Sequence, residues 1–193
     1  MKTRASAGIS LVEALLATAI LAGLGTLVFS VIGNSGRAFQ TQSGYLNALE
    51  RSRDLACRLA TELQGASLAS LQGITGGTAG PMVENTEYTG IVFQNATAYE
   101  GEPQLGDPIR IELAEDPADP VDGQDNSGEG LVDERLVTRR VDAGAARTLG
   151  RSLAGLTFRL TGRTLTIVVD QRLRAAREIM PHRHGVSIHL RNP

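Results

Sequence analysis

Residues 8–17 read GISLVEALLA and begin an apolar run that continues to Ile32, with Glu13 as its one charged residue. As a helix rising about 1.5 Å per residue, residues 9–32 would extend about 36 Å, more than the roughly 30 Å of hydrocarbon in a bilayer. The run therefore predicts a transmembrane helix. Lys2 and Arg4 precede it without a nearby acid. The positive-inside rule then keeps the N-terminus in the cytoplasm and sends the rest of the chain across.

Two ordinary targeting segments are the alternatives. Ala17-Thr18-Ala19 has the small-x-small form that signal peptidase prefers. That site should lie at the polar end of a short apolar region, whereas here the apolar run continues to Ile32. An uncleaved membrane anchor is the second alternative, and it leaves Glu13 unexplained.

Glu13 is the residue of this span that requires a positively charged partner. A carboxylate in the middle of a membrane span costs roughly 2.5–3.5 kcal/mol, so it normally marks a function. Cleavage after Gly8 would create an α-amino group on Ile9, four residues before Glu13. Its reference pKa of about 7.7–8.0 keeps it mostly protonated near neutrality. Cleavage would thus supply the cation that Glu13 needs.

The stretch from Gly8 to Ala17 resembles the G-F-T-L-[IV]-E-x-[LM]-[VI]-[AV] block of the type IV pilin superfamily. The resemblance implies that a prepilin peptidase, a membrane aspartyl protease, cuts between Gly8 and Ile9 and methylates the new amine of Ile9. It also implies that Glu13 directs assembly by pairing with the N-terminus of a neighbouring subunit. Ile9 departs from the usual Phe, which bears on the efficiency of processing.

Four segments follow from this interpretation: a leader over residues 1–8, a transmembrane helix over 9–32, an amphipathic continuation over 33–71, and a β-rich extracytoplasmic domain over 72–193. The amphipathic half is indicated by apolar residues at helical spacing. Its predicted buried stripe consists of Phe39, Leu46, Leu49, Ala56, Leu59 and Leu63, and its predicted outer face of Gln40, Arg51, Arg58 and Glu62.

Short strands are predicted beyond the helix, at residues 90–94 and 109–113 and in a final strand containing Val186, Ile188 and Leu190. Residues 157–160 and 164–169 flank Thr161-Gly162-Arg163, which predicts a hairpin that buries Phe158, Leu160, Leu165, Ile167 and Val169. Because a helix comes first and strands follow, the fold class is α+β with a mostly antiparallel sheet. The resemblance implies the same fold, a long N-terminal helix lying against a sheet.

Charge and motifs argue against several function classes. There are 19 Lys+Arg and 21 Asp+Glu residues, so no basic field is expected to attract nucleic acid. No Gly-rich phosphate loop, nucleophile elbow or zinc-protease helix occurs, so we do not expect an enzyme. Cys57 is the single cysteine, which precludes an intramolecular disulfide. His182 and His184 follow Pro181, where we expect exposed loop residues and not metal ligands.

Residues 116–134 are acidic and rich in turn formers, which predicts a long surface loop. Within it the spacing approximates the D-x-[DN]-x-D-G-x-x-D calcium pattern, in which alternate oxygen ligands wrap a hard cation. The predicted calcium positions are Asp125, Ser127, Glu129, Leu131 and Asp133. A solvated acidic loop without Ca²⁺ is the alternative interpretation.

The expected function is structural. The resemblance implies a subunit of a type IV pilus or a type II secretion pseudopilus in the inner membrane, with its globular domain in the periplasm or outside the cell. The late strands resemble those of J-type pseudopilins and W-type minor pilins, which favours a minor subunit. The expected partners are prepilin peptidase, other pilin or pseudopilin subunits and the membrane. The alternative is a binding module or adhesin at the filament tip that recognises a secreted protein, a surface or DNA through residues 73–134.

Overall fold

The computed structural model describes residues 10–100, 102–126, 131–175 and 178–190. The chain divides into two compact units, Met1–Gln42 and Ser43–Pro193. One long helix, α1 (Leu11–Leu63), supplies the described part of the first unit apart from Ser10 and the beginning of the second. The 18-residue window of highest hydropathy in α1 has a mean hydropathy of 2.3, and none of it is buried. By length and composition α1 is therefore a candidate membrane span.

In the first unit, apolar side chains cover the helix on every side. The large apolar residues that are more than half exposed between residues 11 and 32 are Leu11, Val12, Leu15, Leu16, Ile20, Leu21, Leu24, Leu27, Val28, Phe29, Val31 and Ile32. A helix that is apolar all round needs an apolar environment, either a protein core or a membrane. Within the described part of this unit, no other segment covers these side chains.

The second unit is built from strands that follow a short 3-10 turn at Leu68–Ser70. The strands are β1 (Gln72–Thr75), β2 (Thr78–Pro81), β3 (Glu87–Tyr88), β4 (Gly90–Phe93), β5 (Ala96–Glu100), β6 (Glu102–Leu105), β7 (Ile109–Glu115), β8 (Arg135–Val141), β9 (Arg147–Thr161), β10 (Thr164–Ala175) and β11 (Glu178–His189). Within the described residues they form a nine-stranded sheet and a separate β5–β6 pair.

The large sheet runs in the order β11-β10-β9-β8-β7-β4-β1-β2, and β3 pairs with the far end of β9. Neighbouring strands are antiparallel. The C-terminal part of α1 packs against this sheet, and their shared core contains Leu59 and Leu63 of the helix and Phe93 and Phe158 of the strands. This confirms the α+β fold class with a long N-terminal helix and an antiparallel sheet.

The buried face of α1 differs in part from the predicted stripe. Ala56, Leu59 and Leu63 are buried as predicted, but Phe39 and Leu46 are 73% and 50% exposed. The buried positions that the prediction missed are Ala48, Ser52, Leu55 and Ala60. Three of these four positions carry small side chains, which a pattern of large apolar residues does not single out.

The helix also ends earlier than predicted, at Leu63 and not near Leu71. The chain leaves the helix because Gly65 and Ala66 bond to another segment: the Ala96 N–H donates to the Gly65 carbonyl, and Ala66 forms a β-bridge with Asn95. The glycine-rich stretch that follows is a hairpin, β1–β2. Gly76 and Gly77 at its tip have φ of +58° and +81°, the left-handed values that a tight two-residue hairpin turn requires.

The other strand predictions are confirmed where they were made. Strand β4 covers residues 90–93, β7 covers 109–115, and β11 reaches His189. Thr161 pairs with Thr164 across the turn at Gly162-Arg163, as the hairpin signal indicates. All five side chains predicted to fill the core beside this turn are buried. Strands β1, β2, β3, β5, β6 and β8 and the first half of β9 were not predicted. Strand β8 and the first half of β9 are rich in arginine and do not alternate regularly between apolar and polar residues.

Candidate functional site

The beginning of α1 holds the residues on which the assembly prediction depends. The Glu13 N–H donates to Ser10 Oγ at 3.2 Å, and the Ser10 N–H donates to Glu13 Oε2 at 3.4 Å. This reciprocal pair is a capping box, in which a Ser at the N-cap and a Glu three residues later satisfy the free N–H groups of the first turn. The Ser-x-x-Glu spacing of residues 10–13 is the sequence signal for this box. Glu13 therefore has a local role as a helix cap.

The hydroxyl groups in the apolar segment are satisfied within the helix itself. Thr18 Oγ1 donates to the carbonyls of Leu15 and Ala14 at 2.9 and 3.0 Å. Thr26 Oγ1 and Ser30 Oγ each donate to the carbonyl three residues earlier, at 2.8 and 3.0 Å. In hydrocarbon an unsatisfied hydroxyl would cost several kcal/mol. These side chains are thus compatible with a lipid environment, and Glu13 is the one ionisable residue between residues 10 and 36.

Gly8 and Ile9, the predicted cleavage and methylation positions, lie outside the described residues. Their roles remain predictions from the sequence, as does the pairing of Glu13 with a neighbouring amine.

The described part of the acidic segment contains buried carboxylates, which a fully solvated loop would not. Asp119 is 1% exposed, and its two carboxylate oxygens accept hydrogen bonds from the N–H groups of Asn126 and Glu134, both at 2.9 Å. Asp116 is 7% exposed and lies 3.4 Å from Arg151. In a segment with few strand contacts, such carboxylates accept hydrogen bonds from backbone N–H groups that have no strand carbonyl as a partner. The prediction of a surface loop is correct for residues 120–126, which are exposed, and wrong for the three buried acids, Asp116, Asp119 and Glu134.

The predicted calcium positions are divided by this arrangement. Ser127 and Glu129 lie outside the described residues, Leu131 is buried, and Asp133 Oδ1 accepts a hydrogen bond from the Gly123 N–H at 2.8 Å. In the part of the chain with described coordinates, no group of three or more His, Cys, Asp or Glu residues is placed to hold a metal ion. Calcium binding stays a prediction. Titration calorimetry of the chain with millimolar Ca²⁺ tests it, and a titration without heat would eliminate it.

The histidines occupy a strand and not the expected loop. His182 and His184 are in β11, opposite Gln171 and Val169 of β10. The His182 ring meets Tyr45 edge to face, with ring centroids 5.8 Å apart. Between the histidines, Arg183 forms two hydrogen bonds to Asp170, at 2.6 and 3.0 Å. Hydrogen bonding to that carboxylate raises the pKa of the Arg183 guanidinium above its usual value.

Comparison of the chain with protein-family models, curated proteins and solved structures finds no match. The functional argument therefore rests on the chain's own residues: an apolar helix of membrane length, one carboxylate in its first turn, and an antiparallel sheet packed on its C-terminal part.

Proposed function

We propose that the chain is a prepilin of the type IV pilin superfamily, cleaved between Gly8 and Ile9 by prepilin peptidase. The mature chain, methylated on Ile9, is a minor subunit of a type IV pilus or type II secretion pseudopilus. It is held in the inner membrane by residues 9–32, with its sheet domain outside the cytoplasm, until it enters the filament.

One observation carries the proposal: α1 exposes apolar side chains on all sides before residue 33 and packs on a sheet only at its C-terminal end. The fully apolar part suits lipid first and a bundle of like helices later, because both surround a helix with hydrocarbon. The hydroxyl groups of Thr18, Thr26 and Ser30 support this view, because their hydrogen bonds within the helix suit lipid and a helix bundle equally. Glu13 is then the one side chain of the span whose environment would differ between lipid and a filament.

Glu13 supplies the assembly step. In lipid the carboxylate has only the Ser10 N–H as a described partner, whereas in a filament a neighbouring subunit brings a protonated α-amino group. A buried carboxylate is far better satisfied by an ion pair than by one long hydrogen bond. Burial of the pair therefore favours the filament over the dispersed subunit.

Cleavage is tested by Gly8→Ala in a host that contains the peptidase. We expect Gly8→Ala to accumulate with an intact leader, detected by N-terminal mass spectrometry and by slower migration on an immunoblot. The matched control is Gly33→Ala, the same substitution where an added Cβ meets no atom within 4 Å, and it should mature normally. Maturation of Gly8→Ala at the wild-type rate would refute the proposal.

A further inference from the structure

A second site lies in the Ser43–Pro193 unit, where α1 meets the first half of β9. It is a cleft of about 300 Å³ whose lining includes Arg51, Asp54 and Arg58 of the helix, Arg151 of β9 and Gln171 of β10. We call it the arginine cleft. It lies outside the apolar segment and outside residues 73–134, so neither the filament interpretation nor the loop interpretation accounts for it.

Gln171 is the first sign that the cleft is built for a ligand. The residue is 5% exposed, and its Oε1 atom has no hydrogen-bond partner. Buried polar side chains in native proteins nearly always have partners, so an exception calls for a physical reason. The pairing of β9 with β10 shifts register between Asp170 and Gln171, and bulges of this kind redirect side chains beside binding sites. The bulge thus places an unsatisfied amide on the lining of the cleft.

The neighbouring strand β9, which pairs with β10 at Leu153 and Gln171, carries backbone strain. Ser152 of β9 has φ of +60°, a left-handed value that is strained for a residue other than glycine and that clusters at ligand sites. Next to it, a Cβ on Gly150 would lie 2.9 Å from Leu55 Cδ2, so the glycine lets β9 come close to the helix. Irregular backbone on both β9 and β10 therefore shapes the same cleft.

The charges of the cleft define its ligand. Arg51 and Arg58 form no ion pair with any described residue, although Asp54 lies between them on the helix. Arg151 is 62% exposed and makes only the long 3.4 Å contact with Asp116. The lining holds three guanidinium groups and one carboxylate, Asp54. Even when Asp116, the contact of Arg151 outside the lining, is counted, one positive charge is in excess. Guanidinium groups bind carboxylates with paired hydrogen bonds, so the lining favours a carboxylate ligand.

We propose that the arginine cleft binds an acidic peptide segment of a partner protein. The peptide's side-chain carboxylates pair with Arg51, Arg58 and Arg151, and a backbone N–H donates to the Gln171 amide oxygen. No hydrogen bond holds that oxygen, so rotation of the amide can bring it to the peptide. An acidic peptide carries both carboxylates for the three arginines and an N–H donor for the Gln171 amide oxygen, whereas a simple anion carries only the negative charge.

The test uses the full chain in neutral detergent with a fluorescein-labelled, N-acetylated hexaglutamate amide, followed by fluorescence anisotropy at about 50 mM salt. We expect saturable binding of hexaglutamate and none of hexaglutamine. The variant with both Arg51→Ala and Arg58→Ala should bind at least about tenfold more weakly, because hydrogen bonds between charged groups are the strong ones. Gln171→Leu should weaken binding about three- to tenfold without any change of charge.

Asp54→Asn separates the proposal from loss of folding, because it removes a negative charge from the cleft and should tighten binding about threefold. The matched control is Arg159→Ala with Arg163→Ala, two exposed arginines near the β9–β10 turn, which should stay within twofold of wild type. Circular dichroism confirms folding of each variant. An equal loss in the control, or wild-type binding by Gln171→Leu and by the Arg51/Arg58 variant, would overturn the proposal. Tighter binding of a hexathymidylate than of hexaglutamate would also overturn it and indicate a nucleic-acid site.

Discussion

The cap that Glu13 forms with Ser10 and its proposed pairing with a neighbouring amine are separable by substitution. Glu13→Gln keeps a side chain that completes a capping box and removes the charge. Ser10→Ala removes the Ser10 hydroxyl from the cap and keeps the charge, and Glu13→Ala removes the charge together with the Glu13 half of the capping box. We expect filament incorporation to follow the charge and not the cap, so that Glu13→Gln resembles Glu13→Ala while Ser10→Ala resembles wild type.

The free energies expected for loss of the cap and for loss of the ion pair favour a larger effect of Glu13→Gln than of Ser10→Ala. Ser10→Ala removes the hydrogen bond from the Glu13 N–H to Ser10 Oγ, whose length of 3.2 Å is at the long end of the usual range. The cap therefore contributes near the low end of its usual range, about 0.5 kcal/mol. Since 1.4 kcal/mol corresponds to a factor of ten, Ser10→Ala should lower incorporation about twofold. In Glu13→Gln the neighbouring amine stays unpaired in hydrocarbon, at a cost of roughly 2.5–3.5 kcal/mol, or about 100-fold.

Deprotonation of the unpaired neighbouring amine limits the loss of filament incorporation that Glu13→Gln causes. Its reference pKa is about one unit above pH 7, so removal of the proton costs about 1.4 kcal/mol. The expected loss for Glu13→Gln thus lies between about tenfold and 100-fold. It should become smaller as the pH rises through about 8, because the amine is then already neutral.

The assay compares the variant chain in sheared filaments with the chain left in membranes, on immunoblots of cells that contain the peptidase. N-terminal mass spectrometry first establishes that each variant is cleaved, so that assembly and not processing is measured. Wild-type incorporation of Glu13→Gln together with failure of Ser10→Ala would refute the ion-pair argument and leave Glu13 as a helix cap alone.

Two further predictions concern the sheet domain, and each has a matched control in urea unfolding followed by circular dichroism. Gly73→Ala should destabilise the folded domain by about 1–3 kcal/mol, because its Cβ would lie 2.2 Å from Cδ1 of the buried Tyr88 ring. The control Gly80→Ala, where no atom lies within 4 Å of the added Cβ, should not destabilise it. Equal urea midpoints for the two variants would contradict the packing argument. Leu59→Ala, at a fully buried position, should lower the free energy of unfolding by about 2–5 kcal/mol. The control Leu46→Ala, at a position 50% exposed, should change it by less than about 0.5 kcal/mol. Similar losses of stability at the two sites would show that the buried face of α1 is assigned incorrectly.

Part of the candidate site was predictable and part was not. The position of Glu13 in an apolar run needs only composition and spacing, and the capping box with Ser10 could have been found from its Ser-x-x-Glu spacing. Gly8 and Ile9 rest on the sequence motif alone. The arginine cleft had no local signal, because Arg58 and Gln171 are 113 positions apart in the sequence and meet only through packing of α1 against the sheet.

The sequence by itself determined the features that depend on neighbouring residues: a helix of membrane length, a carboxylate in its first turn, and the hairpin at Gly162-Arg163. These follow from hydrophobic periodicity and turn conformation, which act over a few residues. Tertiary structure alone decided which face of α1 is buried, why Asp119 is buried in an acidic segment, and where the β9–β10 bulge places Gln171. These depend on contacts between residues distant in the chain, and the energy of such a contact is realised only when the whole sheet has formed.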